Sequence, residues 1–297
     1  MTIATANFGE LLEPGLRVIY DSATKQYPEE YSKVFEIRGS TKGTEHSLSI
    51  TGFGLLSSKA QGAGVTYEDP LQGYKHSVSH TVFGKGYIVT KEMYEDDQYD
   101  KISGMTKALA RSVAHTRETN AANILNRAFN SSYTGVGSKE MCATDHPLES
   151  GGTFRNELAT AADFSMTSLE QALIDIQAIV DGKGLLVAAR PVKLIIPTAL
   201  EWTAKQILGS DKDPETANNA VNPGKGIMPY VVMHFLTDSD AWFIQTDIPN
   251  GLIHYDRRKP EYTRDNDHDT DNAKFKVTYR SVDTWDEPRG IFGSPGA

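Results

Sequence analysis

Residues 102–130 read ISGMTKALARSVAHTRETNAANILNRAFN, and the spacing within this stretch decides how the rest of the chain is read. Apolar and small residues recur at Ile102, Met105, Leu109, Val113, Thr116, Asn120, Ile124 and Ala128, in steps of three and four. Leu125 and Phe129 widen the stripe near its end. That is the helical period. Sustained over about seven turns, it predicts a spine helix of about thirty residues where about a dozen is usual. Ahead of it stand Glu92, Glu95, Asp96, Asp97 and Asp100, which suit the positive end of the helix dipole, so the element is read as beginning at Glu92. Lys107, Arg111, His115 and Glu118 fall opposite the stripe and mark a solvated or partner-facing side.

The 297 residues suffice for a sizeable core in one domain or two. A net charge of −9 and a pI near 5.4 argue against a general nucleic-acid-binding surface. The single cysteine, Cys142, excludes an intramolecular disulfide and a cysteine-based zinc site, and reads as a small semi-buried hydrophobe. Asn7, Glu10 and Glu13 stand where a signal peptide would be apolar, and no apolar run approaches the about 18 residues of a membrane span. A soluble intracellular product is expected.

Residues 1–46 mix short apolar clusters (Leu11, Leu12, Leu16, Val18, Ile19) with Pro14, Gly15, Pro28, Glu29 and Glu30. Tyr20, Tyr27, Tyr31 and Phe35 follow no strong local period. This predicts an arm lying across another surface, such as a neighbouring subunit's, with a disordered leader as the alternative. Residues 46–90 change to the two-residue period of strands. Leu48 and Ile50 alternate with Ser47, Ser49 and Thr51, and Tyr74, His76, Val78, His80 and Val82 alternate with Lys75, Ser77, Ser79 and Thr81. Between them residues 57–73 are rich in Gly, Ser, Ala and Gln. The pattern predicts a long two-stranded ribbon with a flexible tip. An isolated hairpin is marginal in water, so the ribbon is expected to rest on a neighbouring subunit. Gly84 and Gly86 read as the turn toward the spine.

After the spine, residues 130–152 read as a loop. A second helix is predicted over 168–180 on Leu169, Leu173, Ile176 and Val180, capped by Thr167 or Ser168 and stopped by Gly182 and Gly184. Strands at 192–196, 230–235 and 242–246, with a short helix at 198–208 and a polar loop at 211–226, predict a compact α/β domain over about 160–255. A strand at 252–256 leads to a polar tip at 265–271. A return strand at 273–281 carries Phe275, Val277 and Tyr279 on one face, and Trp285, Ile291 and Phe292 anchor the end.

Chemistry-bearing patterns are few. Gly224-Lys225-Gly226 and Gly84-Lys85-Gly86 lack the first glycine and the Ser/Thr of a phosphate loop. No Gly-x-Ser-x-Gly elbow occurs. His76 and His80 lie about 13 Å apart on a strand, too far for one metal. Asp145-His146-Pro147 offers a single acid–base pair in a loop. Asp265, Asp267, Asp269 and Asp271 alternate like the start of a calcium loop, yet Thr270 replaces the glycine and Lys276 the bidentate glutamate. They read as an acidic solvated turn, with a divalent-cation or subunit-contact site as the alternative. No catalytic residue and no cofactor is assigned.

The order of arm, ribbon, spine, α/β domain and return strands resembles the HK97-type major capsid proteins of tailed bacteriophages over nearly the whole chain. Cys142-Ala-Thr-Asp-His-Pro-Leu148, then Gly151-Gly152-Thr153 and Asn156, is similar to a segment common in phage head subunits, the Mu-like group included. Val192-Lys-Leu-Ile-Ile-Pro-Thr198 followed by Trp202 resembles the strand and helix of the axial domain. Residues 279–285 and Pro288-Arg289-Gly290 resemble the closing strand.

The resemblance implies an α+β, HK97-like capsid fold. Its parts would be an N-terminal arm (1–46), an extended β-hairpin loop (47–90), a peripheral domain with the spine helix (91–159), an axial domain (160–255) and return strands of the peripheral domain (256–297). It implies self-assembly into pentamers and hexamers of an icosahedral shell around double-stranded DNA, bound without sequence specificity and without a membrane. The location would be the virion, with host cytoplasm during assembly. The acidic tip would lie where capsomers meet in threes. Implied partners are a portal, a decoration protein and a scaffolding protein, the last a separate chain because no scaffolding segment fits before the arm. Lys59 lies at the ribbon tip, but no partner Asn or catalytic Glu marks a cross-link. An encapsulin-like compartment shell is the alternative. A metal-dependent hydrolase using the Asp265–Asp271 cluster is the third reading.

Overall fold

The structure is a computed structural model that describes residues 9–96, 99–212, 220–267 and 272–297. In chain order come helix α1 (Gly9–Lys25), strands β1 (Glu36–Gly39), β2 (Thr44–Ile50), β3 (Gln72–Ser79) and β4 (Thr81–Val89), and helices α2 (Lys91–Glu95) and α3 (Tyr99–Asn126). There follow β5 (His146–Pro147), β6 (Thr153–Phe154), α4 (Met166–Gln177), β7 (Pro191–Ile196) and α5 (Glu201–Gly209). The chain ends with β8 (Tyr230–Val232), β9 (Trp242–Thr246), β10 (Ile253–Asn266), β11 (Ala273–Thr284) and β12 (Ile291–Ser294). No helix among the described residues is long and apolar enough to cross a membrane.

Two four-stranded sheets carry the architecture. The first runs β1-β10-β11-β4 and is antiparallel except for β1 with β10. The second runs β12-β9-β7-β8 and is antiparallel except for β7 with β8. The spine α3 serves both. Near its start Ile102, Leu109, Ala110 and Val113 are buried with Phe275, Val277 and Tyr279 of β11, so a helical stripe meets the alternating face of a strand. Stacked rings line that seam, Tyr87 on Phe275 at 5.1 Å and Phe83 on Tyr279 at 5.0 Å, pairs worth more than their buried area alone. Near its end Ala121, Ala122, Leu125 and Ala128 share a core with Ile195, Phe243 and Ile291 of the second sheet. On that sheet Leu169, Ala172 and Ile176 of α4 and Ala204, Ile207 and Leu208 of α5 pack with Leu194, Ile196, Trp242 and Phe292.

Several expectations change. The spine is two helices, α2 and α3, rather than one from Glu92, and Asp97 lies outside the described residues. Part of the predicted arm is folded onto its own chain. Leu16, Tyr20 and Ala23, spaced as one helix face, are buried with α3 and the first sheet, and Tyr31, Val34 and Phe35 lie in the central core. Pro14 and Gly15 inside α1 hid its period, since proline forgoes a backbone bond that packing of the next turns offsets. Glu118 is buried rather than solvated. Its carboxylate accepts the Glu30 N–H at 2.7 Å and the Tyr31 N–H at 3.1 Å.

Gly84 and Gly86 lie within β4, not in a turn. A Cβ on Gly86 would come 2.4 Å from the Phe275 carbonyl oxygen, so the close approach of β11 explains that glycine. The ribbon strand ends at Ser79, and β4 beyond it belongs to the first sheet. The α4 cap is Ser165, two or three residues ahead of the Thr167 or Ser168 expected. Ser165 Oγ accepts the Ser168 N–H at 3.2 Å and Ser168 Oγ accepts the Ser165 N–H at 2.9 Å, a reciprocal capping box. Finally β12, expected among the return strands of the first sheet, pairs with β9, where all four of its residues are buried.

Candidate functional site

The ribbon is the most exposed element and is built in two unlike halves. β2 and β3 pair from Thr44 with Ser79 to Ile50 with Gln72. Thr51 closes the ladder, its N–H donating to the Leu71 carbonyl at 3.0 Å and its hydroxyl accepting the Leu71 N–H at 2.8 Å. The base rests on its own subunit rather than awaiting a neighbour. Ser49 donates to Glu149 at 3.1 Å, and His76 pairs with Asp286 at 3.1 Å beside the Trp285 ring. The tip differs. Phe53, Leu55, Leu56, Val65 and Tyr67 are 61–98% exposed, a density of bare apolar side chains that marks an association surface. Glu68 ties the tip to the body, accepting the Gly54 N–H at 2.9 Å and meeting Lys183 at 2.6 Å.

The segment from Cys142 to Asn156 is a clip, not a catalytic loop. Cys142 is fully buried and burial pushes its thiol pKa well up, which leaves no thiolate to react. His146 is buried and stacked on Phe154 at 5.0 Å, and burial depresses its pKa to about 4, so the ring is neutral near pH 7. Asp145 turns outward to Lys139 at 2.6 Å, and no acid–base pair forms. Asn156 gathers the clip. Its amide donates to the carbonyls of Met141 and Pro288 at 2.8 Å and of Ile291 at 3.0 Å, while its oxygen accepts the Ala143 N–H at 2.9 Å. Gly151 and Gly152, at φ of 93° and 89°, make the reversal that L side chains resist.

The other sequence candidates separate. His76 and His80 have different partners, Asp286 and Glu45. Lys225 of the second Gly-Lys-Gly pairs with Asp211, and Gly226 takes a left-handed turn. Asp265 stands opposite Lys274 in register, and Asp267 meets the Lys274 ammonium at 2.6 Å. Asp269 and Asp271 lie outside the described residues. Among the described residues no three His, Cys, Asp or Glu side chains are grouped to hold a metal.

Sequence reasoning missed one ionic cluster because its members come from four distant segments. Arg117 of α3 reaches Asp256 at 3.0 Å and Glu29 at 3.3 Å and lies over the Tyr31 ring at 5.0 Å. His254 bridges Asp283 at 2.6 Å and Asp256 at 3.2 Å. Burial would lower the His254 pKa, but the hydrogen bonds to Asp256 and Asp283 overcome that and raise it to about 9. The cluster is structural: it fastens residues 29–31 and the first sheet to the spine.

The fold matches solved capsid structures at low sequence identity. A mature capsid of bacteriophage PhiM1 gives a TM-score of 0.59 at 11% identity, over 90% of this chain and 87% of that one. A procapsid of bacteriophage JBD30 gives 0.55 at 15%, over 98% and 76%. A virus-like particle from Pyrococcus furiosus gives 0.57 at 12%, over 95% and 98%. The architecture is therefore the HK97-like α+β capsid fold. The sequence profile of the phage capsid protein family matches residues 74–293, well over half of the chain, and the chain belongs to that family. None of the curated proteins matches its sequence.

Proposed function

We propose that this chain is the major head subunit of a tailed phage, of the Mu-like group, forming pentamers and hexamers of an icosahedral shell around double-stranded DNA. The observation that carries this reading is the bare apolar ribbon tip on a chain of the capsid family, surface that a monomer leaves in water and a closed assembly buries. Heterologous contacts that close rings are what such a shell needs. In this reading residues 81–159 and 256–290 form the peripheral domain, 160–255 with β12 the axial domain, 47–80 the extended loop and 1–46 the arm. The protein acts mechanically, without catalysis. It assembles in host cytoplasm with a separate scaffolding protein, a portal and a decoration protein, and ends in the virion. The acidic tip at 265–271 serves as a solvated turn near the junctions of capsomers.

A second reading, an encapsulin-like compartment shell, is favoured by one observation: the Pyrococcus furiosus particle subunit matches this chain nearly end to end. Negative-stain electron microscopy of the purified chain, alone and with the products of neighbouring genes, tests both. Closed shells or rings of five and six are expected, and the shell diameter separates a phage head from a small compartment. A strictly monomeric chain with scaffold present overturns both.

A further inference from the structure

We infer that the ribbon is divided at Thr51 and Leu71: its base stays fixed to its own subunit throughout assembly, and only residues 52–70 move to engage a second copy of the chain. This rests on the capsid reading above.

The base is wedged, not merely laid, against the body. A Cβ added to Gly73 would come 2.7 Å from Glu149 Oε1, and one added to Gly182 would come 2.5 Å from Glu149 Oε2 and 2.9 Å from Thr51 Cγ2. The Glu149 carboxylate thus fills a slot between two backbones that have no room for a side chain. Thr51 is 5% exposed, Tyr74 packs on the central core, and the His76–Asp286 pair is largely buried. Lifting the base would open all of these together and leave buried polar partners unmatched.

Beyond Thr51 the character changes at once. Residues 52–71 form no strand, and Gly52 and Gly54 flank Phe53, Gly52 with open space around it. The Gly54 N–H and the Lys183 ammonium both depend on one half-exposed carboxylate, Glu68. The pair is open to water on the Glu68 side, where solvent screening weakens it. The pivot therefore lies at the glycines above Thr51, not at the root of the ribbon where β3 passes into β4.

Two cross-links and one exchange measurement test this. Cys142 is the sole native cysteine and is buried, so engineered pairs supply the reactive thiols. His76→Cys/Asp286→Cys, bridged by a short bis-maleimide, locks the base without adding a side chain where none fits, and is expected to form shells with no loss of yield against the unbridged variant. Shells lost only on bridging overturn the proposal. Glu68→Cys/Lys183→Cys, bridged by a short bis-maleimide, locks the tip and is expected to lose shells. Undiminished shells overturn the proposal. Hydrogen exchange on the wild-type chain needs no variant: in the free subunit the amides of β2 and β3 should exchange slowly and those of 52–70 fast, the latter slowing on assembly. Base amides exchanging as fast as those of the tip overturn it. A wild-type chain that never assembles sinks the capsid reading instead, and the exchange pattern still judges the division.

Discussion

The side-chain amide of Asn156 donates to the backbone carbonyl of Ile291 at 3.0 Å, across 135 residues of sequence. With the bonds to Met141 and Pro288 it ties the loop after the spine to the entry of β12. All these groups are buried, so removing the amide leaves three carbonyls without that donor and the Ala143 N–H without its acceptor. An unmatched buried group costs about 1–3 kcal/mol. Asn156→Ala should therefore lower stability by about 3 kcal/mol or more. Asn156→Asp should be worse, since it points negative charge at carbonyl oxygens. Urea unfolding followed by tryptophan fluorescence measures this, and a loss under about 1 kcal/mol would contradict the role.

The His254 cluster predicts how stability follows pH. The folded pKa near 9 lies above the unfolded value near 6.5, so His254 adds stability that is complete below about pH 6.5 and lost as pH rises through 9. Asp256 is lowered: burial would raise it, and the hydrogen bond to His254 and the charge of Arg117 overcome that. Its contribution is present above the unfolded value near 3.9 and lost as pH falls through the folded pKa. His146, depressed to about 4, works against the fold in acid, because the unfolded chain takes up its proton first. Stability should peak between about pH 5 and 7 and fall on both sides. His254→Gln should cost about 2–3 kcal/mol near pH 6, progressively less as pH rises from about 6.5, and little above pH 9. Equal losses at pH 6 and pH 10 would show that His254 acts by packing alone.

The sequence made the spine legible because one face of α3 is buried along its whole length, and the period of Ile102, Leu109 and Val113 records it. It made β11 legible for the same reason through Phe275, Val277 and Tyr279. It hid α1, whose burying face at Leu16, Tyr20 and Ala23 begins just after Pro14 and Gly15. It hid the destination of β12 as well, because residues buried on both sides carry no alternation that names a sheet. Glu118 is opaque for a different reason, since a carboxylate opposite an apolar stripe looks solvated until the N–H groups of residues 30 and 31 are brought to it. The ribbon tip was visible in composition. The wedge of Glu149 between Gly73 and Gly182 was not, because it joins three segments that only the fold assembles.

The acidic hairpin tip should behave as a solvated turn. Lys274 already meets Asp267, and exposed pairs of this kind contribute about 0–1 kcal/mol. Asp267→Asn is therefore expected to change stability by under about 1 kcal/mol, with little difference between calcium and chelator. A melting temperature that rises several degrees with millimolar calcium, and does so only with Asp265 and Asp267 intact, would instead establish a cation site.

The ribbon tip separates folding from assembly. Leu55 and Leu56 are 85% and 98% exposed, so charged residues there lose no packing in the subunit. Leu55→Glu/Leu56→Glu should leave stability within about 0.5 kcal/mol of wild type. Placed in a subunit contact, the two carboxylates would be driven into an apolar interface without partners, a cost that association cannot absorb. Shells should then be lost while the soluble subunit remains folded. Trypsin gives an independent reading, because Lys59 is the only lysine or arginine in residues 52–70. Free subunits should be cut there rapidly and assembled shells should resist. Shells that assemble normally from the double variant, or that are cut at Lys59 as fast as free subunits, would remove the tip from the interface.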